Sequence, residues 1–169
     1  GVVPRAEGGA DRGALMRAVA ARALRILGLG LLLHLLAWWW LDMEHFRPWG
    51  VLQRIGVCFL VVGAVALWLR PRAQWVLLAA LLLGWWALLA WGGSLAPWDN
   101  IASRVDTALL GPWLYQFDPA TGRGHDPEGL SSTLGALATT VLGLRAGDWL
   151  RHGRLRTLCA GGVGALLLA

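Results

Sequence analysis

Three long apolar runs constrain this chain more than any other feature. Residues 23–41, 51–69 and 75–91 are dominated by Leu, Ala, Val, Gly and Trp. A helix needs roughly 20 mostly apolar residues to cross about 30 Å of hydrocarbon, and each run is close to that length. Because backbone groups in lipid must satisfy their own hydrogen bonds, such runs form helices. The pattern predicts an all-α fold, a polytopic transmembrane helix bundle.

Two further runs bring the predicted number of spans to about five. Residues 130–147 are rich in Ser, Thr, Ala and Gly, and residues 157–169 begin a span that the chain does not complete. The N-terminus has no Met and no signal-peptide pattern. We therefore expect an internal fragment of a longer polytopic protein. Residues 1–20 are expected to be a cytoplasmic connector, residues 21–169 part of one membrane domain, and residues 92–129 an outer loop.

Composition excludes several other classes of protein. Charged residues make up 15% of the chain and hydrophobic ones 57%, whereas soluble domains carry about 25% charged residues. The net charge is +5, but the Arg residues are spread along the chain, so nucleic acid is not an expected partner. Four His and two Cys show no ligand spacing, so no metal site is expected. The expected environment is a lipid bilayer.

The distribution of Arg predicts the orientation in the membrane. Arg is frequent before the first span, scarce in residues 42–50, present at Arg70 and Arg72, scarce in residues 92–129 and frequent after the fourth span. This alternation follows the positive-inside rule. It predicts a multi-pass inner-membrane protein whose N-terminus is cytoplasmic. Most Trp residues then lie at membrane boundaries, although Trp49, Trp98 and Trp113 in outer loops could instead stack on a sugar.

Polar residues at the entry of the second span are candidates for binding an anionic ligand. Arg47 precedes this span, and Gln53 and Arg54 lie within its first turns. If the helix began early, Arg47 and Arg54 would share one face and form a clamp for phosphate or carboxylate. The alternative for Arg54 is that its guanidinium snorkels to the interface. His34, within the first span, is either functional or a neutral imidazole bonded to a neighbouring helix.

A second group of candidates lies at the outer mouth of the fourth span. Asp126, Pro127 and Glu128 fit the N-cap, first position and first turn of a helix. That reading does not explain why carboxylates and His125 are concentrated there. The span that follows carries a ridge of small residues, which would let another helix approach, within this chain or in a homo-oligomer. The ridge consists of Ser131, Gly135, Thr139, Gly143 and Gly147.

The outer loop itself is long enough to be functional. Asn100, Asp106 and Tyr115 are its candidate substrate-binding residues. Loops of this length are usually functional or disordered, and the aromatic and Leu content here predicts a folded cap over the bundle.

Several motifs, taken in order, resemble those of the heparan-α-glucosaminide N-acetyltransferase family of membrane acyltransferases. The resemblance covers roughly residues 21–150. The motifs are RALR at 22–25, RPWGVLQRIG at 47–56, NIASRVD at 100–106, WLYQ at 113–116, DPEGLSST at 126–133 and LGLRAG at 142–147. Trp113 stands where the family commonly has His.

The resemblance implies an enzyme that transfers acetyl from acetyl-CoA to the amine of a terminal glucosamine on the far side of the membrane. Arg47, Gln53 and Arg54 would orient the CoA phosphates or the acyl carbonyl. Asp126 and Glu128 would support catalysis at the sugar amine, and Asn100, Asp106 and Tyr115 would shape the acceptor site. The family's catalytic His lies before the region matched here, so no His of this chain takes that role. We expect residues 1–169 alone to be inactive.

The sequence leaves alternatives open for the acceptor and for the class of function. All fifteen basic residues are Arg, which is typical of a GC-rich bacterial genome and favours a cell-wall or glycan amino sugar as acceptor. A sugar permease or transporter component is the second hypothesis, although transporters more often place polar residues at the membrane midplane. A structural membrane segment is the third.

Overall fold

The computed structural model describes residues 2–42 and 45–167. The helices of this part of the chain are α1 (Val2–Glu7), α2 (Arg12–Trp40), α3 (Val51–Trp68), α4 (Pro71–Trp91), α5 (Ile101–Leu110), α6 (Thr133–Arg151) and α7 (Leu155–Leu167). A 3₁₀ turn at Gly111–Trp113 and two strands, β1 (Gln116–Asp118) and β2 (Arg123–His125), lie between α5 and α6. The fold is mostly helical, as predicted, but it also contains a small sheet.

Within residues 2–42 and 45–167, three helices are long and apolar enough to span a membrane, namely α2, α3 and α4. The prediction of five spans is therefore not confirmed. The predicted fourth span corresponds to α6, and the predicted fifth corresponds to α7, whose last predicted residues lie outside the described part of the chain. Leu, Val and Trp side chains on α2 and α4 point outward, and surfaces of this kind fit a lipid environment.

The first span begins earlier than expected. Helix α2 starts at Arg12, so the second half of the predicted connector is helical and continuous with the span. Asp11 caps this helix because its carboxylate accepts hydrogen bonds from the backbone amides of Gly13 (3.1 Å) and Ala14 (2.8 Å). The sequence prediction located the start of the apolar run, whereas the helix begins at its cap.

Helices α2 and α3 pack closely because glycines lie where they cross. A Cβ on Gly30 would be 2.8 Å from the Cβ of Leu52, and one on Gly63 would be 2.5 Å from Cγ1 of Val19. Small residues are typical of such helix contacts in membranes, because they let the backbones approach. The other side of α3 packs on α6, and α6 packs on α4.

A compact apolar core joins α3, α4 and α6. Val62, Leu78, Ala138 and Val141 are its buried members. The predicted ridge of small residues on α6 meets another helix near its start. A Cβ added to Gly135 would lie 3.6 Å from Nε1 of Trp85 in α4, whereas one added to Gly143 or Gly147 would have no described atom within 4 Å. Close approach of a neighbouring helix at the GxxxG pair is therefore not found within the described residues, and the use of this pair in a homo-oligomer stays a prediction.

The predicted outer loop is folded, and we call the segment of residues 92–132 the cap. It consists of α5, the 3₁₀ turn, the β1–β2 hairpin and the segment leading into α6. The strands are antiparallel, with Phe117 opposite Gly124. The hairpin turn is closed by Asp118, which accepts hydrogen bonds from Ala120 and Thr121, and by Gly122, whose φ of 64° favours glycine.

Replacing Gly63 with Ala tests the close packing of α2 on α3. Val19 is 1% exposed and cannot move away from the added methyl group, so we expect Gly63→Ala to destabilise the protein by about 1–3 kcal/mol. Gly28→Ala is the matched control, since nothing lies within 4 Å of that position; it should be neutral or slightly stabilising. Unfolding in detergent measures both, and equal stability of the two variants would contradict the packing.

Candidate active site

One arginine, Arg47, joins the segment before α3 to the segment before α6. Nη2 of Arg47 lies 2.6 Å from Oδ1 of Asp126, and Nε of Arg47 lies 3.2 Å from Oδ2 of the same carboxylate. Nη2 also donates to Oε2 of Glu128 at 2.9 Å. A planar guanidinium matches a carboxylate in this two-point geometry. The Asp126 side chain is 1% exposed, so the pair is largely removed from solvent.

Asp126 has a different local role from the one predicted. It is not the N-cap of the fourth span, because α6 begins at Thr133 after Ser132. Its oxygens accept hydrogen bonds from the backbone amides of Tyr115 (3.1 Å) and Glu128 (2.9 Å) in addition to those from Arg47. The N-cap prediction is wrong because the helix starts seven residues later, so the bond from the Glu128 amide closes a turn before α6 rather than capping a helix.

Arg54 contacts the same segment from one turn inside α3. Its Nη2 donates to the carbonyl of Pro127 at 2.8 Å and to the hydroxyl of Ser132. An early helix start is wrong, since α3 begins at Val51, yet Arg47 and Arg54 both reach residues 126–132. The segment leading into α6 therefore holds the Arg54 guanidinium. Snorkelling to the interface would not require these contacts.

Gln53 lies apart from these two arginines. It is 2% exposed, and neither its amide nitrogen nor its amide oxygen has a hydrogen-bond partner among the described residues. The side chain lies against Gly30 in α2. A buried polar group without a partner costs about 1–3 kcal/mol, and Gln53 lines neither of the two cavities described below.

His34 positions the backbone that carries Arg47. Its Nδ1 lies 2.5 Å from the carbonyl oxygen of Arg47, and a carbonyl only accepts, so Nδ1 carries the proton. The imidazole ring lies against Gly50, where any side chain would collide with it. Of the two interpretations of His34, the structure has the bonded one, with a backbone carbonyl as the partner.

Tyr115 and Trp49 complete the surroundings of the ion pair. The ring of Tyr115 lies 4.9 Å from the guanidinium carbon of Arg47 and stacks on it. Nε1 of Trp49 donates to the carbonyl of Glu128 at 2.7 Å. Trp49 is therefore occupied by the protein, and the hypothesis that it stacks on a sugar is not supported by its hydrogen bond.

A cavity of about 230 Å³ opens between α4, α5 and the start of α6. Three predicted site residues line it: Asn100, Asp106 and Asp126. Glu128 and Tyr115, which both contact Arg47, are not among its lining residues. The remaining lining residues are Trp85, Leu89, Leu95, Ala102, Ser103, His125, Pro127 and Ser132.

Asn100 and Asp106 hold the cap together as well as lining the cavity. Oδ1 of Asn100 accepts from the backbone amide of Ser103 at 2.8 Å and so caps α5. Asp106 is 1% exposed, and its Oδ1 accepts both from the amide (2.9 Å) and from the hydroxyl (2.8 Å) of Ser131. Burial raises the pKa of the Asp106 carboxyl above its usual value, and the nearby charge of Asp126 acts in the same direction.

Two polar cavity residues were given no role at the sequence level. Nδ1 of His125 lies 3.0 Å from the hydroxyl of Ser103, and that hydroxyl donates to the carbonyl of Pro97. The hydroxyl therefore accepts from Nδ1, which leaves Nε2 of a neutral His125 as an acceptor. Ser103 follows an N-cap by three residues, but only the tertiary fold places it beside His125.

The comparison with protein families matches residues 8–114 to the model described as "Heparan-alpha-glucosaminide N-acetyltransferase, catalytic". The match includes Arg47, Gln53, Arg54, Asn100 and Asp106, and it ends before the hairpin and the carboxylates that bind Arg47. No curated protein gives a significant match to the chain.

Asp106→Asn tests the raised pKa of this carboxyl. The folded protein binds the Asp106 proton more tightly than the unfolded chain, so this group costs stability as pH rises from about 4 through the raised pKa. The variant keeps an Oδ1 acceptor for Ser131 and does not titrate. Its stability relative to the wild type should therefore increase from pH 4 to pH 7, measured by unfolding in detergent. Parallel pH curves for the two proteins would contradict this account.

Proposed function

Because the chain belongs to the heparan-alpha-glucosaminide N-acetyltransferase family, we propose that it forms part of a membrane enzyme that acetylates an amino sugar. The donor would be acetyl-CoA, and the acceptor a terminal glucosamine or a similar sugar with a free amine. The observation that supports the acceptor most directly is the cavity beneath the cap, with its carboxylates and His125. The family match gives no support to the transporter alternative.

The cavity fits the chemistry of a small amino sugar. Its volume of about 230 Å³ is of the size of a single sugar ring. Trp85 provides an aromatic wall, and Asn100, Asp106 and Asp126 provide acceptors for hydroxyl and amine hydrogens. Sites of this kind are mostly apolar and use a few polar groups to fix the orientation of the ligand.

The reaction requires an unprotonated amine beside a thioester carbonyl. The amine nitrogen attacks the carbonyl carbon, the carbon–sulfur bond breaks, and the amine proton passes through a base to the leaving thiolate, giving an amide and free CoA. Asp126 and Glu128 are proposed to orient the amine or the base. We assign no catalytic base within this chain, in line with the resemblance, which locates the family's His outside the matched region.

Arg47, Gln53 and Arg54 are proposed to act on the donor side. Arg47 is saturated by carboxylates, so its role would be to fix the positions of Asp126 and Glu128 rather than to take up a phosphate alone. The support for Gln53 is its amide, which has no partner among the described residues; because the side chain is 2% exposed, a ligand would reach it only if α2 and α3 moved apart. Stabilising the developing oxyanion is usually the largest electrostatic contribution to acyl transfer.

We also propose that the cap faces the extracytoplasmic side of the inner membrane. The opposite end of the bundle, where α2 begins, α3 meets α4 and α6 ends, carries most of the Arg residues; we call it the arginine end. The positive-inside rule assigns that end to the cytoplasm. Acceptor amines would then reach the cavity from outside.

Acetyl transfer by the full-length protein in membranes tests the assignment. Asp106→Asn, Arg54→Ala and Asp126→Ala should each reduce transfer from labelled acetyl-CoA to glucosamine at least tenfold, which corresponds to about 1.4 kcal/mol of transition-state stabilisation. Asp118→Asn is the matched control, since Asp118 only closes the exposed hairpin turn. Near-normal transfer by well-expressed Asp106→Asn and Arg54→Ala would contradict the proposed site.

A further inference from the structure

A second pocket, far from the cap, lies at the arginine end of the bundle. Its volume is about 770 Å³, and it opens between α1, the turn from α3 to α4 and the last turns of α6. The charged residues that line it are Glu7, Arg12, Arg70, Arg145, Asp148 and Arg151. Neither the proposed acetyl transfer nor the family match assigns this pocket a role.

The charges around this pocket do not cancel. Arg151 pairs with Glu7 (2.9 Å) and with Asp148 (2.7 Å), and Arg145 also pairs with Asp148 (3.0 Å). Arg12 and Arg70 form no ion pair with any residue that the structure describes. Four arginines therefore face two carboxylates, which leaves an excess of positive charge in a concave site.

Arg145 supplies a buried donor without a partner. Its residue is 6% exposed, and its guanidinium donates to Oε1 of Gln74 (3.1 Å) and to Asp148. Its Nε is buried and has no hydrogen-bond partner among residues 2–42 and 45–167. An unsatisfied donor on a buried cation is costly, and an anion in the pocket would offset that cost.

The N-terminus of α4 also lines the pocket. Arg70 caps this 21-residue helix, and Pro71 and Gln74 lie in its first turn and line the same pocket. Pro71 has no N–H and the Gln74 amide donates to the carbonyl of Arg70, so this end offers the pocket the partial positive charge of the helix dipole, which favours anions. The helix end and the arginines thus favour the same kind of ligand.

Trp residues indicate the depth of the pocket in the membrane. Trp68 lines it and is 51% exposed, and Trp75 lies 5.9 Å from the guanidinium carbon of Arg145. Tryptophan is enriched at the level of lipid headgroups. A basic pocket between helices at this level is the arrangement that binds anionic headgroups.

We propose that this pocket binds a phosphate group, and that its occupant in the membrane is the headgroup of an anionic phospholipid. A phosphate oxygen would contact Arg145, and the guanidinium groups of Arg12 and Arg70 would neutralise the remaining charge. A soluble phosphate compound offers the same chemistry, so the experiment has to distinguish the two sources. The proposal does not depend on acetyl transfer at the cap.

Lipid binding by the purified full-length protein tests this proposal. The protein in neutral detergent is titrated with phosphatidylglycerol, with phosphatidylcholine and, in a separate arm, with inorganic pyrophosphate. The test variant is the double substitution Arg12→Gln, Arg70→Gln, which removes the two arginines that form no ion pair with a described residue. The matched control is Arg22→Gln, Arg25→Gln, which changes the net charge equally at exposed positions of α2 outside the pocket.

We expect phosphatidylglycerol to bind more tightly than phosphatidylcholine, and the test variant alone to weaken that binding about tenfold or more, since each basic residue at a membrane surface contributes appreciably. A different outcome is that pyrophosphate binds with the same dependence on Arg12 and Arg70 and that phosphatidylglycerol binds no better than phosphatidylcholine. That result would support a phosphate site and contradict the lipid headgroup as its occupant. Equal effects of the test and control variants would overturn the site itself. Acetyl transfer is also measured for the control variant, so that a failed lipid-binding test at this pocket can be told apart from a failure of the proposed function at the cap.

Discussion

The ion pair between Arg47 and Asp126 is the contact on which the relation of the cap to the bundle depends. It joins residues 79 positions apart, one before α3 and one before α6. Each partner alone would be a charge largely removed from water, which is costly. Together they satisfy one another and fix the ends of two helices at one point. Glu128 adds a second carboxylate to the same guanidinium.

The rest of the candidate site is built around this pair. The carbonyl of Arg47 is held by His34, the amide of Tyr115 by Asp126, and residues 127–132 by Arg54. Asp106 joins α5 to Ser131 just beyond. The cavity lies between these contacts and α4, and Asp106, Asp126, Pro127 and Ser132 line it. Binding residues and supporting residues are therefore largely the same side chains.

The sequence predicted the membrane class, the three long apolar helices and a folded loop between the third and fourth predicted spans, because hydrophobic runs are local signals. It also selected Arg47, Arg54, Asp106 and Asp126, since charges are rare near lipid. It did not predict that Asp126 would bind Arg47 instead of capping a helix. Oδ1 of Asp126 accepts from both Arg47 and the Glu128 amide, and only the tertiary fold shows that the helix begins later, at Thr133. The three-residue strands of the hairpin are too short to show alternation.

The packing between helices also could not be predicted from the sequence. Gly63 lies at a helix crossing and Gly143 does not, although both are small residues in apolar runs. The small-residue ridge on α6 shows the spacing of a packed face, but Ala138, Val141 and Arg145 form the buried one. The choice of face depends on which neighbours fill the space, and periodicity alone does not contain that information.

A double-mutant cycle on Arg47 and Asp126 tests this account most directly. Unfolding of the wild type, Arg47→Met, Asp126→Leu and the double variant gives the coupling energy between the two side chains. Arg123 and Asp99, which pair at 2.7 Å with side chains 59% and 49% exposed, provide the reference cycle. The account predicts coupling of about 2 kcal/mol or more for the buried pair, against less than about 1 kcal/mol for the exposed one. Equal, small coupling in both cycles would contradict it.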